Sequence, residues 1–294
     1  MKKTLSLVLL TILMLTLLTA CGDSSPSTAS GFNANREITV VSREDGSGTR
    51  GAFVEITGVQ VSAEGVTTDR TSPEAAIGNN TNAIMTNVAG DTYAIGYISA
   101  GSVNDTIKAL RVEGVAPTPE NILNGTYGIA RPFIIITGGE LSDVAQDFVN
   151  FILSKGGQDR VTERGFVTVD GNAPAFVSNR ASGNIVVGGS TSVEPLMGRL
   201  REDYLAINSN ATIEVHGTGS GAGITGAIDG VVDIGMSSRD IRDSEREQLD
   251  QVIRIAVDGI AVIVHKDNPL NDITVEQVRD IYIGQTTRWN TILP

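Results

Sequence analysis

Four short stretches of this chain combine glycine with serine or threonine, and each follows a run of apolar residues. They are Arg43-Glu44-Asp45-Gly46-Ser47-Gly48-Thr49, Gly188-Gly189-Ser190-Thr191-Ser192, Gly217 to Gly223, and Gly235-Met236-Ser237-Ser238-Arg239. Glycine lets the backbone approach a ligand closely and turn several N–H groups the same way. A helix starting just after such a loop adds unpaired N–H donors and a partial positive charge. Serine and threonine hydroxyls are short donors, and Arg43 can make a bidentate, charge-assisted contact. Brought into one cleft, these parts hold a tetrahedral oxyanion without a metal. One such loop alone reads as a helix cap, in which the hydroxyl satisfies an orphan N–H. Four of them in one chain favour a ligand.

The elements that must carry these loops alternate between strand and helix patterns. Apolar runs predict strands at Glu37–Ser42, Tyr93–Ser99, Ala130–Thr137, Asn184–Gly188, Thr212–Val215 and Val232–Met236, and a longer one at Ile255–His265. The apolar stretch Gly51–Ile56 follows the first loop. Leu141, Val144, Ala145, Phe148, Val149, Phe151 and Ile152 fall at helical spacing, with Gly156-Gly157 as the stop. Glu194–Ile207 and Thr274–Tyr282 read as further helices. The alternation predicts α/β layers with largely parallel sheets. It also sets the four loops at strand carboxyl ends, where open α/β sheets bind ligands. Residues 171–183 read as a linker, and no internal repeat is evident.

The N-terminus reads as an export signal. Lys2 and Lys3 precede the apolar run Leu5 to Leu18, and Leu18-Thr19-Ala20-Cys21 follows. Small residues before a cysteine suit a cleavage site. The run is shorter than the roughly 20 apolar residues of a comfortable membrane span. Cys21 is the only cysteine, so no intrachain disulfide can form. Residues 22–35 are small and polar, a tether composition that reaches roughly 45–50 Å at full extension. The whole chain carries 22 Lys and Arg against 34 Asp and Glu, a formal charge of −12. Such a chain repels nucleic acid. An anion site in it must be local.

Other chemistries fit poorly. Gly217 to Ala222 matches a GxGxxA dinucleotide fingerprint, which is weak alone and leaves the other three loops unexplained. The GxSxG nucleophile elbow is absent. His216 and His265 each end a strand, and two histidines with one cysteine do not make a zinc site. Asp240, Asp243, Glu245 and Glu247 read as a solvated acidic helix face. Neither catalysis nor a cofactor is expected.

The motifs SREDGSGTR (Ser42–Arg50), GGSTSVEPL (Gly188–Leu196), GTGSGAG (Gly217–Gly223) and DIGMSSR (Asp233–Arg239) resemble the PstS family, the phosphate-binding proteins of phosphate ABC importers. AIGYIS, YGIARPFIIIT, FVNFILSKGGQ and VEQVRDIYIGQTTRW extend the resemblance over nearly all of residues 37–294. Cys21 resembles the lipidated cysteine of bacterial lipoproteins. The resemblance implies an α/β fold of the periplasmic-binding-protein-like type II, with two lobes, a hinge and an interlobe cleft. It implies a signal peptide at 1–21, a tether at 22–36, one lobe at 131–262 and a second split between 37–130 and 263–294. The strands near Ala130–Ile135 and Ala261–His265 would be the hinges. Phosphate would be bound by Thr191, Ser192, Ser220 and Ser238 from one lobe and Arg43, Ser47, Gly48 and Thr49 from the other, with Asp45 orienting Arg43. The implied partners are membrane permease subunits of an ABC importer, and the implied location is the outer face of the cell membrane. Two departures stand out. The REDGSGT half precedes the GGSTS half, a circularly permuted order that joining Pro294 to Glu37 would undo. A truncated tandem piece is the alternative. Ser238 stands where some members carry Asp to accept the proton of hydrogen phosphate, so another oxoanion, or a signalling role without transport, stays open.

Overall fold

A computed structural model describes residues 31–63 and 66–293, and the chain from Asn33 onward is one compact unit. The predicted leader, Cys21 and tether residues 22–30 lie outside the described residues. The body opens with β1 (Thr39–Arg43) and α1 (Gly48–Ile56), then the antiparallel pair β2 (Gln60–Ala63) and β3 (Val66–Asp69). There follow β4 (Ala76–Gly78), α2 (Thr81–Gly90), β5 (Ala94–Ser99), β6 (Ile107–Ala109), β7 (Arg111–Val112), α3 (Pro119–Leu123) and β8 (Ala130–Thr137). Next come α4 (Asp143–Ile152), α5 (Lys155–Glu163), β9 (Val167–Thr168), β10 (Gly183–Gly189), α6 (Glu194–Ile207), β11 (Ala211–Gly217) and α7 (Ser220–Ile228). The chain closes with β12 (Ile234–Ser237), α8 (Asp243–Arg246), β13 (Gln251–His265), β14 (Asp272–Ile273) and α9 (Val275–Tyr282).

One sheet runs in the order β11-β10-β12-β8-β13-β5-β1-β4, with β6 and β9 also paired to β13. It is mixed, not largely parallel as the alternation predicts. Strands β10, β11 and β12 pair in parallel, as do β1, β4 and β5. Between these groups β8 and β13 run antiparallel to their neighbours. Two helix-connected parallel groups must be joined by through-going strands, and alternation along the chain does not reveal their direction.

The sheet has a separate core at each end. On one side Phe133, Phe148, Phe151, Leu196, Leu200, Tyr204 and Ile255 pack together; on the other Val41, Ile84, Val88, Ile98, Ala261 and Ile263 do. The 15-residue β13 supplies both, and its register shifts between Arg254 and Ala256. Strand β5 is buried throughout and β8 nearly so, which is why both read as unbroken apolar runs.

Helix starts follow local chemistry. Asn80, Ser142 and Ser154 each cap the helix that follows, and Thr274 and Gln277 form a capping box on α9. Gly156-Gly157 does not end a helix. The Ser154 cap opens α5 directly after α4, and both glycines lie within it. Gly157 is required there because a Cβ would collide with the Ile152 carbonyl. The first strand starts at Thr39 rather than Glu37. Glu37 instead forms an isolated bridge to Arg288, and Ile38 N–H bonds the Thr287 carbonyl at 2.8 Å. The beginning and end of the body therefore lie side by side.

Helix α7 settles on the sheet through Gly223, where a Cβ would stand 2.6 Å from Gly189 Cα and 2.7 Å from the Gly188 carbonyl oxygen. Alanine is ordinarily the better helix former. Here the backbone it meets cannot yield, so Gly223→Ala should lower stability by about 1–3 kcal/mol in urea denaturation. An unchanged midpoint would mean that α7 is not seated this closely.

Candidate anion-binding site

Arg43 ends β1, and the Glu44–Ser47 turn carries the chain into α1, with Gly46 at φ 83°. Gly189 ends β10, Gly217 ends β11 and Ser237 ends β12, so parallel pairing brings the other three loops to one edge. The N-termini of α1, α6 and α7 meet there. Backbone bonds lock the loops together: Gly221 N–H to the Gly46 carbonyl at 2.9 Å, and Thr218 and Gly219 N–H to the Gly189 carbonyl at 2.7 and 2.8 Å. A side chain at Gly48 would strike Ser220 Oγ.

Arg43, Ser47, Gly48, Thr49, Thr191, Ser192, Ser220 and Ser238 are all buried, and polar contacts join them across the loops. Arg43 Nη2 donates to Thr191 Oγ1 at 3.0 Å. Thr49 Oγ1 and Ser192 Oγ share a bond at 2.8 Å. Ser190 Oγ donates to Ser238 Oγ at 2.8 Å, and Ser238 N–H donates to Ser220 Oγ at 3.1 Å. Ser47 is also a helix cap, accepting from Arg50 N–H. The oxygens of Ser47, Thr191, Ser220 and Ser238 are thus each held by a donor, which leaves their own protons to be directed elsewhere. Such a donor-rich cradle, beside guanidinium and three helix N-termini, suits a compact multivalent oxyanion.

The carboxylate on Arg43 is Glu44, not Asp45. Arg43 Nε and Nη2 each reach a Glu44 oxygen at 2.7 Å, a bidentate pair. The Asp45 side chain is 96% exposed and pairs with Arg50 at 2.9 Å. Asp45 stands at the outer corner of the turn before Gly46, where its side chain faces water. It therefore does not orient Arg43.

Sequence reasoning placed Ser190 in its loop without giving it a contact, and missed Thr81, Arg131 and Asp258. Thr81, at the start of α2, donates to the Thr191 carbonyl at 3.3 Å. Arg131, on β8, reaches Thr49 Oγ1 and the Ser238 carbonyl oxygen, both at 2.8 Å. Its other nitrogen, Nη2, bonds Asp258 on β13 at 3.1 Å. A charged residue inside an apolar strand run was the available signal for Arg131 and Asp258, because a buried charge demands a partner. Burial pulls Arg131 down to about 10 against the opposing pull of Asp258. Burial likewise pushes Asp258 up to about 6, with Arg131 opposing. The two histidines stand outside the cluster: His216 is exposed beside Glu214, and His265 accepts from Asp267 N–H. Glu245 of the acidic run grips Arg239 through both oxygens at 2.8 and 2.6 Å.

The sequence matches the PBP superfamily domain over residues 23–155 and 175–294. The phosphate-binding protein PstS 2 of Streptococcus agalactiae is 41% identical over 293 residues, 99% of this chain and 98% of that protein. The chain belongs to the PstS family. A crystal structure of the phosphate-binding protein of a phosphate ABC transporter from Streptococcus pneumoniae superposes with TM-score 0.71 at 41% identity, covering 87% of this chain and all of that one. The end-to-end match with the S. agalactiae PstS protein means that both run their segments in the same order. PstS of Staphylococcus saprophyticus matches at 32% identity over only 40% of this chain and 39% of its own.

The Asp258 carboxyl gives the folded protein an unusual proton affinity. Near pH 7 it is ionised both folded and unfolded, and the cost of burying its charge is fully felt. As pH falls through about 6 the folded form takes up a proton, whereas the unfolded form waits until near 3.8. This group therefore adds stability toward acid and loses it as pH rises through about 6. Denaturation midpoints measured from pH 4 to 7 should fall less steeply on acidification in the wild type than in Asp258→Asn. Parallel curves would show that Asp258 titrates normally.

Proposed function

We propose that the protein captures inorganic phosphate outside the cytoplasm and presents it to the permease of an ABC importer. The observation that carries this is the meeting of Arg43, Ser47, Gly48, Thr49, Thr191, Ser192, Ser220 and Ser238 in one buried, donor-rich cluster. No covalent step is involved. Residues 131–262 act as one lobe, and residues 37–130 with 263–294 act as the other. Strands β8 and β13 pass between them as the hinge. A ligand that touches both lobes only when they are closed shifts the population toward the closed form, which the permease then reads. The two cores of the sheet support this division. Circular permutation accounts for the segment order, and it is supported by the pairing of residues 287–290 with 34–38 and by the partial match to the staphylococcal relative.

Calorimetric titration of the purified full chain with phosphate, then sulfate, at neutral pH tests the reading. Micromolar or tighter phosphate binding is expected, and Arg43→Ala should weaken it at least tenfold. A folded sample that ignores phosphate would sink the proposal. Binding of sulfate as tight as phosphate would instead favour a general oxoanion receptor. That second reading draws on Ser238, whose hydroxyl already accepts from Ser190 and offers no charge to a phosphate proton.

The chain is anchored to the membrane by lipid on Cys21, with residues 22–36 as the tether. Cys21→Ser should abolish incorporation of labelled palmitate and move the protein from the membrane fraction into the medium. Retention of the label by the variant would exclude this anchor.

A further inference from the structure

Two buried arginines approach the cluster, and they are held in different ways. Arg43 gives two bonds of 2.7 Å to one carboxylate. Arg131 gives Asp258 a single bond of 3.1 Å, and its Nε makes no hydrogen bond. Its Nη1 is turned away from the carboxylate, toward Thr49 Oγ1 and the Ser238 carbonyl oxygen. Arg131 and Asp258 side chains are each 1% exposed. Replacing such a buried pair with well-packed apolar residues commonly leaves stability unchanged or improved. A pair serving stability alone would also spend its donors on its own carboxylate. This one spends them on the two loops.

We propose that Arg131 is a second positive centre of the anion site and the residue that positions Thr49 and Ser238, with Asp258 limiting how much of its charge the site feels. This rests on reading the cluster as a phosphate cradle. By donating to Thr49 Oγ1, Arg131 fixes the hydroxyl that Thr49 shares with Ser192. By holding the Ser238 carbonyl, it fixes the turn that presents the Ser238 hydroxyl. Its charge stands one hydroxyl away from the ligand groups, in surroundings where water does not screen it. The other ionisable groups near the pair are Arg43, Tyr97 and Tyr127. Tyr97 is pushed up to about 12 by burial. Tyr127 is held higher still by burial and by the Asp258 charge, so both tyrosines are neutral at pH 7. The Arg43 charge is matched by Glu44. That leaves Asp258 as the group that sets the strength of Arg131.

Titration of the full chain with inorganic phosphate at pH 7, beside urea denaturation of the same samples, separates the possibilities. Asp258→Asn keeps the shape of the side chain and removes its charge. It should tighten phosphate binding at least threefold, because the Arg131 charge is then unopposed, without lowering the denaturation midpoint, because the buried carboxylate charge that opposes stability at pH 7 is gone. Arg131→Met should weaken binding at least thirtyfold, and should weaken it by a clearly smaller factor in a Thr49→Val background. Wild-type binding together with an Asp258→Asn variant that loses affinity along with stability would make the pair structural only, and would overturn the proposal. So would an Arg131→Met loss of equal size in both backgrounds. A folded wild type that gives no phosphate signal would overturn this proposal together with the reading it rests on.

Discussion

A guanidinium taken out of water must find its hydrogen bonds inside the protein, and this chain buries two of them beside one sheet. Much else in the structure follows from that demand. Arg43 reaches Thr191, 148 residues away in sequence, and Arg131 reaches both Thr49 and Ser238. The three loops must therefore come within bonding distance of one another. Space for that approach exists only where side chains are missing, as at Gly48 between the α1 and α7 termini and at Gly223 against β10. The glycines do not merely loosen the loops. They permit the distances that the buried charges require.

The same demand reconciles a net charge of −12 with a preference for anions. Acidic residues are spread over the surface, where water screens them. The positive centres are enclosed, and the Arg131 charge is held by only a single bond to its own carboxylate. An anion arriving at the cluster feels near charges in a poorly screened setting far more than it feels distant ones in water.

Much of this arrangement was legible in the residues. The strand-loop-helix units around Ser190, Ser220 and Ser238 could be read because apolar runs end abruptly in Gly and Ser. Helix α6 and strand β8 were readable to the residue. What was hidden depended on direction and distance. Nothing in Arg43-Glu44-Asp45 says which carboxylate turns inward; the turn at Gly46 decides it. The antiparallel course of β8 and β13 was equally hidden, because a fully buried strand has the same composition whichever way it runs. Arg131 and Asp258 were visible as charges in apolar strands. Their pairing across 127 residues was not.

The meeting of the two ends of the body also governs how the molecule is made. Glu37 pairs with Arg288 across 251 residues, and Tyr282 donates to the Val41 carbonyl across 241. These contacts cannot form until Tyr282 and Arg288 have been delivered. Strand β1, which carries Arg43, can pair with β4 and β5 early, yet it gains its Tyr282 contact only at the end. A chain with contacts this remote folds slowly, because the ends must find each other before closure is rewarded. During that interval the most polar part of the future Ser, Thr and Arg cluster waits in water, and the apolar runs beside it wait there too.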